Sequence, residues 1–225
     1  MPDHKSIYSQ EAQNYQRLVG REDHEGNILK AIRAVMPIEG IDVVETGAGT
    51  GRLTCLLAPH VRSIQAYDSS DAMLDVARDR LTEMGMQNWS AGVADHRALP
   101  AADGSADLAI SGWSVCYLVD WSRGDWKPDV LKALSEMQRV LRPGGKIVLI
   151  ETQGTGFETP HPPQHLLEYY EFLKEQGFES TWFRSDYEFD SAVEARELTE
   201  FFFGQELADQ FNGRILPECT GIWWK

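Results

Sequence analysis

Residues 43–52, Val-Val-Glu-Thr-Gly-Ala-Gly-Thr-Gly-Arg, set a carboxylate at Glu45 just before glycines at 47, 49 and 51. Glycine accepts backbone angles that side chains forbid and lets a ligand lie against the main chain. A β-branched strand that runs into such a loop and then a helix is the nucleotide-handling corner of a doubly wound sheet. About twenty residues later Asp68 ends a second apolar run, where a carboxylate can hold ribose hydroxyls. The dinucleotide fingerprint Gly-x-Gly-x-x-Gly needs a glycine at position 52, and this chain has Arg52. The pattern here is Glu-x-Gly-x-Gly-x-Gly.

The elements that must carry these residues follow from periodicity. Helices are expected at 26–36, 50–58, 71–84 and 128–141, with Ser70 as an N-cap and Pro37 and Pro59 as stops. Short apolar strands are expected at 41–45, Val61–Tyr67, Trp89–Ala94, Asp107–Ser111 and Lys146–Glu151. Arg142-Pro143-Gly144-Gly145 reads as a tight turn before the last of these. Strand–helix alternation of this kind implies a mainly parallel sheet covered on both faces, an α/β class. The last third breaks the rhythm: helix at 164–176, strand near 179–187, helix at 191–203 and strand around 214–224. No linker divides the chain, so residues 1–225 are expected to form one domain.

Composition narrows the partners. Of 225 residues, 42% are hydrophobic and 25% charged, an ordinary globular balance. The net charge of −14 and the lack of any Lys/Arg run argue against a nucleic-acid substrate, since phosphate binding needs a basic face. Cys55, Cys116 and Cys219 are isolated and odd in number, which fits neither a disulfide framework nor a zinc site. No run approaches a membrane span, and the N-terminus lacks an apolar signal core. A soluble cytoplasmic protein is the expectation, with its oligomeric state open.

The ordered motifs resemble those of class I S-adenosylmethionine-dependent methyltransferases, in the small-molecule branch that includes ubiquinone/menaquinone-biosynthesis-like enzymes. The glycine run resembles the first motif, and Ala-Tyr-Asp68-Ser-Ser-Asp-Ala-Met-Leu the second. Ala94-Asp-His-Arg-Ala-Leu-Pro100 resembles the third; Asp103–Ser111 and Val140–Ile150 match the runs into the fourth and fifth strands. The resemblance covers roughly residues 40–152. It departs from the common pattern at Glu45, Ala48 and Ala106.

The resemblance implies a Rossmann-like, mostly parallel seven-stranded sheet with the last strand antiparallel, and S-adenosylmethionine as cofactor. It implies that Gly47, Ala48, Gly49, Gly51, Ser69 and Met73 surround the cofactor, with Glu45 on the loop or the methionine ammonium. Asp68 would take the ribose, Asp95 the adenine amino group, the His96 backbone the ring edge, and Ser111 the methyl-donor side. Residues 1–25, with Tyr8 and Tyr15, resemble a cap that closes over the cofactor; 40–152 would be the cofactor core and 153–225 the substrate-side and C-terminal strands.

Methyl transfer is an in-line displacement in which the cofactor supplies the electrophile, so the protein mainly positions the acceptor. A general base is needed only for a protonated acceptor. Substrates bind beyond the carboxyl ends of the strands, which leaves Tyr117, His161 and His165 as candidate bases, with Trp113, Cys116, Asp120, Trp121 and Glu151 nearby. His161 and His165 have helical metal-pair spacing, but Pro162 and Pro163 stand between them. The expected function is methylation of a small molecule at O, N or C. The alternatives are a nicotinamide-dependent oxidoreductase and a non-catalytic cofactor- or protein-binding member of the fold.

Overall fold

The computed structural model describes residues 4–122 and 124–225. The first three residues of the expected cap, and Arg123, lie outside the described residues.

The chain begins with helices α1 (His4–Gln10), α2 (Ala12–Val19) and α3 (Asn27–Val35). Strand β1 (Asp42–Thr46) leads to α4 (Arg52–Leu57), β2 (Ser63–Asp68) to α5 (Asp71–Glu83), then β3 (Trp89–Val93) and β4 (Ala106–Gly112). Helices α6 (Tyr117–Trp121) and α7 (Lys127–Val140) precede the long β5 (Leu141–Thr155). A single 3-10 turn, Gln164–Leu166, opens α8 (Leu167–Glu175). The remainder is β6 (Glu179–Arg184), β7 (Tyr187–Glu188), α9 (Ala192–Phe203), α10 (Gln205–Gln210), β8 (Ile215–Leu216) and β9 (Glu218–Trp224).

Seven strands form one sheet in the order β3-β2-β1-β4-β5-β9-β6. The pairs among β1 to β5 are parallel, and β9 is antiparallel to both β5 and β6. This is the expected Rossmann-like sheet with the chain's last strand reversed. The order changes direction between β1 and β4, so a crevice opens there beyond the strand ends.

Alternation along the strands sends neighbouring residues to opposite faces. Val43, Leu108, Ile110 and Val148 pack with Ile28 and Ile32 of α3 and Leu53 and Leu57 of α4. Val44, Ala109, Ile147 and Leu149 pack with Val130 and Met137 of α7 and with Tyr169 and Leu173 of α8. Burial of each such aliphatic side chain stabilises the fold by roughly 1.5–3 kcal/mol. Ser70 caps α5, its hydroxyl accepting from the Met73 amide.

The expected strands at 179–187 and 214–224 are each broken. β7 and β8 leave the main sheet and pair with each other in a separate two-stranded sheet. Pro217 separates β8 from β9; it has no amide hydrogen for a ladder. At the matching corner Asp186 takes the Glu218 amide at 3.0 Å and a two-pronged grip from Arg184. Polar anchoring of this sort has no hydrophobic period. Helices α1, α2, α6 and α10 are likewise short elements that the periodicity did not mark, and 164–166 is 3-10 rather than α.

Candidate functional site

The crevice at the β1/β4 switch point is a cavity of about 530 Å³. Its floor is the turn after β1, where Gly47, Gly49 and Gly51 all take positive φ. The Gly47 and Ala48 amides donate to the Tyr67 carbonyl at 2.7 and 3.0 Å, which folds the turn back over β2. The three glycines are needed for different reasons. A Cβ on Gly47 would overlap Ser114, and one on Gly51 would meet the Ala77 Cβ on α5 at 2.9 Å. One on Gly49 would meet only Met73 Cε, at 3.4 Å, so this glycine faces the cavity.

Asp68, at the end of β2, ties the site together. Its Oδ2 accepts from the Gly49 amide and its Oδ1 from the Ser70 amide, each at 2.8 Å. Burial raises its carboxyl above the ordinary range, while those amides and that of Ser69 pull it down. Glu45 is 1% exposed, and the Thr54 hydroxyl donates to its Oε2 at 2.6 Å. Burial pushes its carboxyl up to about 8, against the pull of that hydrogen bond, so it is protonated at neutral pH.

On the adenine side of the expected site, Asp95 lines the cavity but is half-exposed and gripped by the Arg97 guanidinium at 2.7 Å through both oxygens. This pairing holds its carboxyl below the ordinary range. His96 presents its ring rather than only its backbone. Its Nδ1 lies 2.7 Å from Thr46 Oγ1 and its Nε2 3.0 Å from Ser114 Oγ. Burial lowers this imidazole to about 4, so it is neutral at ordinary pH.

Part of the cavity lining is aromatic. Tyr8 of α1 donates from its hydroxyl to that of Tyr117 of α6 at 2.6 Å, and Tyr117 stacks on Trp121 with centroids 4.8 Å apart. Tyr15 of α2 stands edge-on to Tyr8 at 5.2 Å. Arg52 lies over the Trp113 ring, 3.5 Å from its centroid, and forms an ion pair with the buried Glu22 carboxylate. Trp113 itself has φ of 49°, an outlier for a bulky residue and a local strain beside the cavity.

Of the residues the sequence suggested, Tyr8, Tyr15, Glu45, Gly47, Ala48, Gly49, Asp68, Ser69, Met73, Asp95, His96 and Tyr117 all line this one cavity. Four do not. Gly51 packs against α5 instead. Ser111 is fully buried within β4, its hydroxyl without a partner among the described residues, and the wall is taken over by Gly112, Trp113 and Ser114. His161 stacks on Phe157 at 4.2 Å, and His165 is half-exposed, 3.6 Å from Asp120. Both histidines sit on the surface away from the cavity, because the Pro-rich stretch 160–163 carries them outward before α8 begins. Tyr117 is within reach, but burial raises its phenol well above the ordinary value, so it is not a base at neutral pH.

The sequence did not point to Thr46, the Arg52 side chain or Ser114. Arg52 had drawn notice only as a missing glycine, and no spacing rule reaches Ser114 from His96.

A crevice at a switch point, with an open glycine and a carboxylate fixed to it, defines a nucleotide-cofactor-binding protein of the doubly wound class. The chain is similar to the class I S-adenosylmethionine-dependent methyltransferases. Residues 44–149 match the family model described as a methyltransferase domain. A demethylmenaquinone methyltransferase of Lactococcus lactis is 28% identical over 84% of this chain and 67% of its own length. A malonyl-[acyl-carrier protein] O-methyltransferase of Hahella chejuensis is 32% identical over 63% of this chain and 46% of its own. The chain thus spans from about half to two thirds of the length of these curated relatives. The crystal structure of a SAM-dependent methyltransferase from Aquifex aeolicus shares the fold, with a TM-score of 0.57 at 16% identity over 99% of this chain and 93% of that one. The cofactor of this family and fold is S-adenosylmethionine.

The residues present fit that cofactor. Gly49 leaves open space above the turn, and Thr50 Oγ1, in the cavity wall, is buried without a partner among the described residues. Among the described residues, no helix is long and apolar enough to cross a membrane.

Proposed function

We propose that this chain transfers the methyl group of S-adenosylmethionine to a small-molecule acceptor. The observation that carries this reading is the Asp68–Gly49 corner: a carboxylate suited to a ribose diol, hydrogen-bonded to the glycine of the turn that leaves the most open space on the cavity side. When bound, the cofactor supplies an electrophilic methyl group on a sulfonium. The protein's part is to hold and orient the two reactants and keep water out. On this reading Gly47, Ala48, Gly49, Ser69 and Met73 shape the bed, Asp68 holds the ribose and Asp95 lies at the adenine end. Glu45 sits at the end where the methionine ammonium would lie.

Tyr8, Tyr15, Tyr117 and Trp121 form the wall on the acceptor side, and α1 with α2 act as the cap. Residues 1–225 then work as one domain. The neutral Tyr117 phenol serves as a hydrogen-bonding wall rather than a base, so acceptors that attack as neutral amines or as anions suit the site best. Incubation with methyl-labelled cofactor and a panel of amines, phenols and carboxylates tests the activity. Transfer of label to one class supports the reading, and silence across the panel despite cofactor binding counts against it.

A further inference from the structure

Thr46, His96 and Ser114 form a chain of hydrogen bonds that ends at the cavity. Thr46 sits at the end of β1, His96 after β3, and Ser114 two residues after β4. The Thr46 hydroxyl is buried at 1% exposure, and its one partner among the described residues is His96 Nδ1, 2.7 Å away. A buried hydroxyl proton needs an acceptor, so Thr46 donates to Nδ1. The ring is neutral, since burial lowers it to about 4, and its single proton must therefore stand on Nε2. That N–H donates to Ser114 Oγ at 3.0 Å. Ser114 then has its own O–H left, in the wall of the cavity. Donors aligned in series reinforce one another.

The position of this donor selects what it meets. Asp68 on β2 and Asp95 after β3 set the ribose and adenine ends of the cofactor, so the amino-acid end lies toward β1 and β4. Ser114 stands there, against Gly47. Glu45, a carboxyl suited to an ammonium, also lines the cavity, from the end of β1. Arg52, the cation beside it, is engaged by Glu22 and lies on Trp113.

We propose that Ser114 donates a hydrogen bond to the carboxylate of the cofactor's methionyl end, with His96 as the positioning residue that turns its proton toward the cavity. This rests on the S-adenosylmethionine reading above. The assignment gives the zwitterionic tail one partner of each kind, Glu45 for the ammonium and Ser114 for the carboxylate.

Two measurements test it. Calorimetry compares S-adenosylhomocysteine with its decarboxylated analogue on the wild type and on Ser114→Ala. The variant should bind S-adenosylhomocysteine about tenfold more weakly, the loss expected for one hydrogen bond to a charged group, and the decarboxylated analogue with unchanged affinity. Nitrogen-15 NMR of the wild type should show His96 as the neutral Nε2–H tautomer. Equal weakening of both ligands by the substitution, or no weakening, would overturn the proposal, and so would an Nδ1–H tautomer. Failure of wild-type protein to bind S-adenosylhomocysteine would instead remove the cofactor reading, and this inference with it.

Discussion

The Gly49 amide donates to Asp68 Oδ2 at 2.8 Å, so the carboxylate at the end of β2 holds the turn after β1 in place. Asp68 therefore does two things: it faces the cavity and it fixes the bed. Asp68→Ala is expected to weaken S-adenosylhomocysteine binding by ~1.5–3 kcal/mol, the range for a charged hydrogen-bond partner. Asp68→Asn keeps one acceptor oxygen and should fall between. Calorimetry on the folded variants checks both, and unchanged affinity in Asp68→Ala would take this residue out of the site.

Glu45 is protonated in the free protein because burial holds it up to about 8. An ammonium arriving beside it favours the ionised form, so binding should release a proton near pH 7. Affinity for S-adenosylhomocysteine should accordingly rise as pH climbs from about 6 toward 8. Titrations at pH 7 in buffers of different ionisation enthalpy should give different apparent heats. Glu45→Gln should remove that difference, whereas buffer-independent heats in the wild type would contradict the assignment.

The Glu22–Arg52 ion pair joins the segment after α2 to the cavity wall. Its two halves are not equivalent. Burial raises the Glu22 carboxyl, so it can go neutral if Arg52 is lost, but a guanidinium cannot shed its charge. Glu22→Ala leaves a buried cation and should destabilise the protein by about 3–5 kcal/mol. Arg52→Met keeps an apolar side chain against Trp113 and should cost less. Urea denaturation of the two variants would reverse the argument if Arg52→Met proved the weaker protein.

Glu151, fully buried at the end of the Ile147–Ile150 core run, accepts from the Cys116 amide at 3.1 Å and the Tyr169 hydroxyl at 3.2 Å, with Oε2 unpartnered among the described residues. Burial raises it to about 7, against those hydrogen bonds. A carboxyl whose pKa is higher folded than unfolded stabilises the protein below its unfolded value, and that stability is lost as pH rises through the folded one. The wild type should therefore lose roughly 2 kcal/mol from this group between pH 5 and pH 9. Glu151→Gln should lack that loss, so the variant gains on the wild type as pH rises. Parallel pH slopes in thermal melts of the two proteins would contradict this.

The parallel core was legible because its information is periodic. Val43–Val44, Leu108–Ile110 and Ile147–Ile150 alternate between two helix layers, and glycines stand where the chain turns with positive φ. The polar corner at Asp186 and Pro217 was not, since one proline and one carboxylate redirect two strands without altering hydrophobicity. The cofactor-side residues could be read for a related reason: Asp68 and Asp95 end their strands. Ser114 could not, because its role depends on a histidine 18 positions away turning inward. His161 and His165 mislead by type, as imidazoles that the fold leaves on the surface. Gly51 carries the right residue for a packing reason, the approach of Ala77.

The central claim is that the cavity over Gly49 and Asp68 is a site for S-adenosylmethionine. Calorimetric titration of the wild-type chain with S-adenosylhomocysteine, and separately with NADH, tests it most directly. The account predicts saturable one-to-one binding of S-adenosylhomocysteine that Asp68→Ala weakens, and no competition by NADH. Binding of NADH with none of S-adenosylhomocysteine would contradict it.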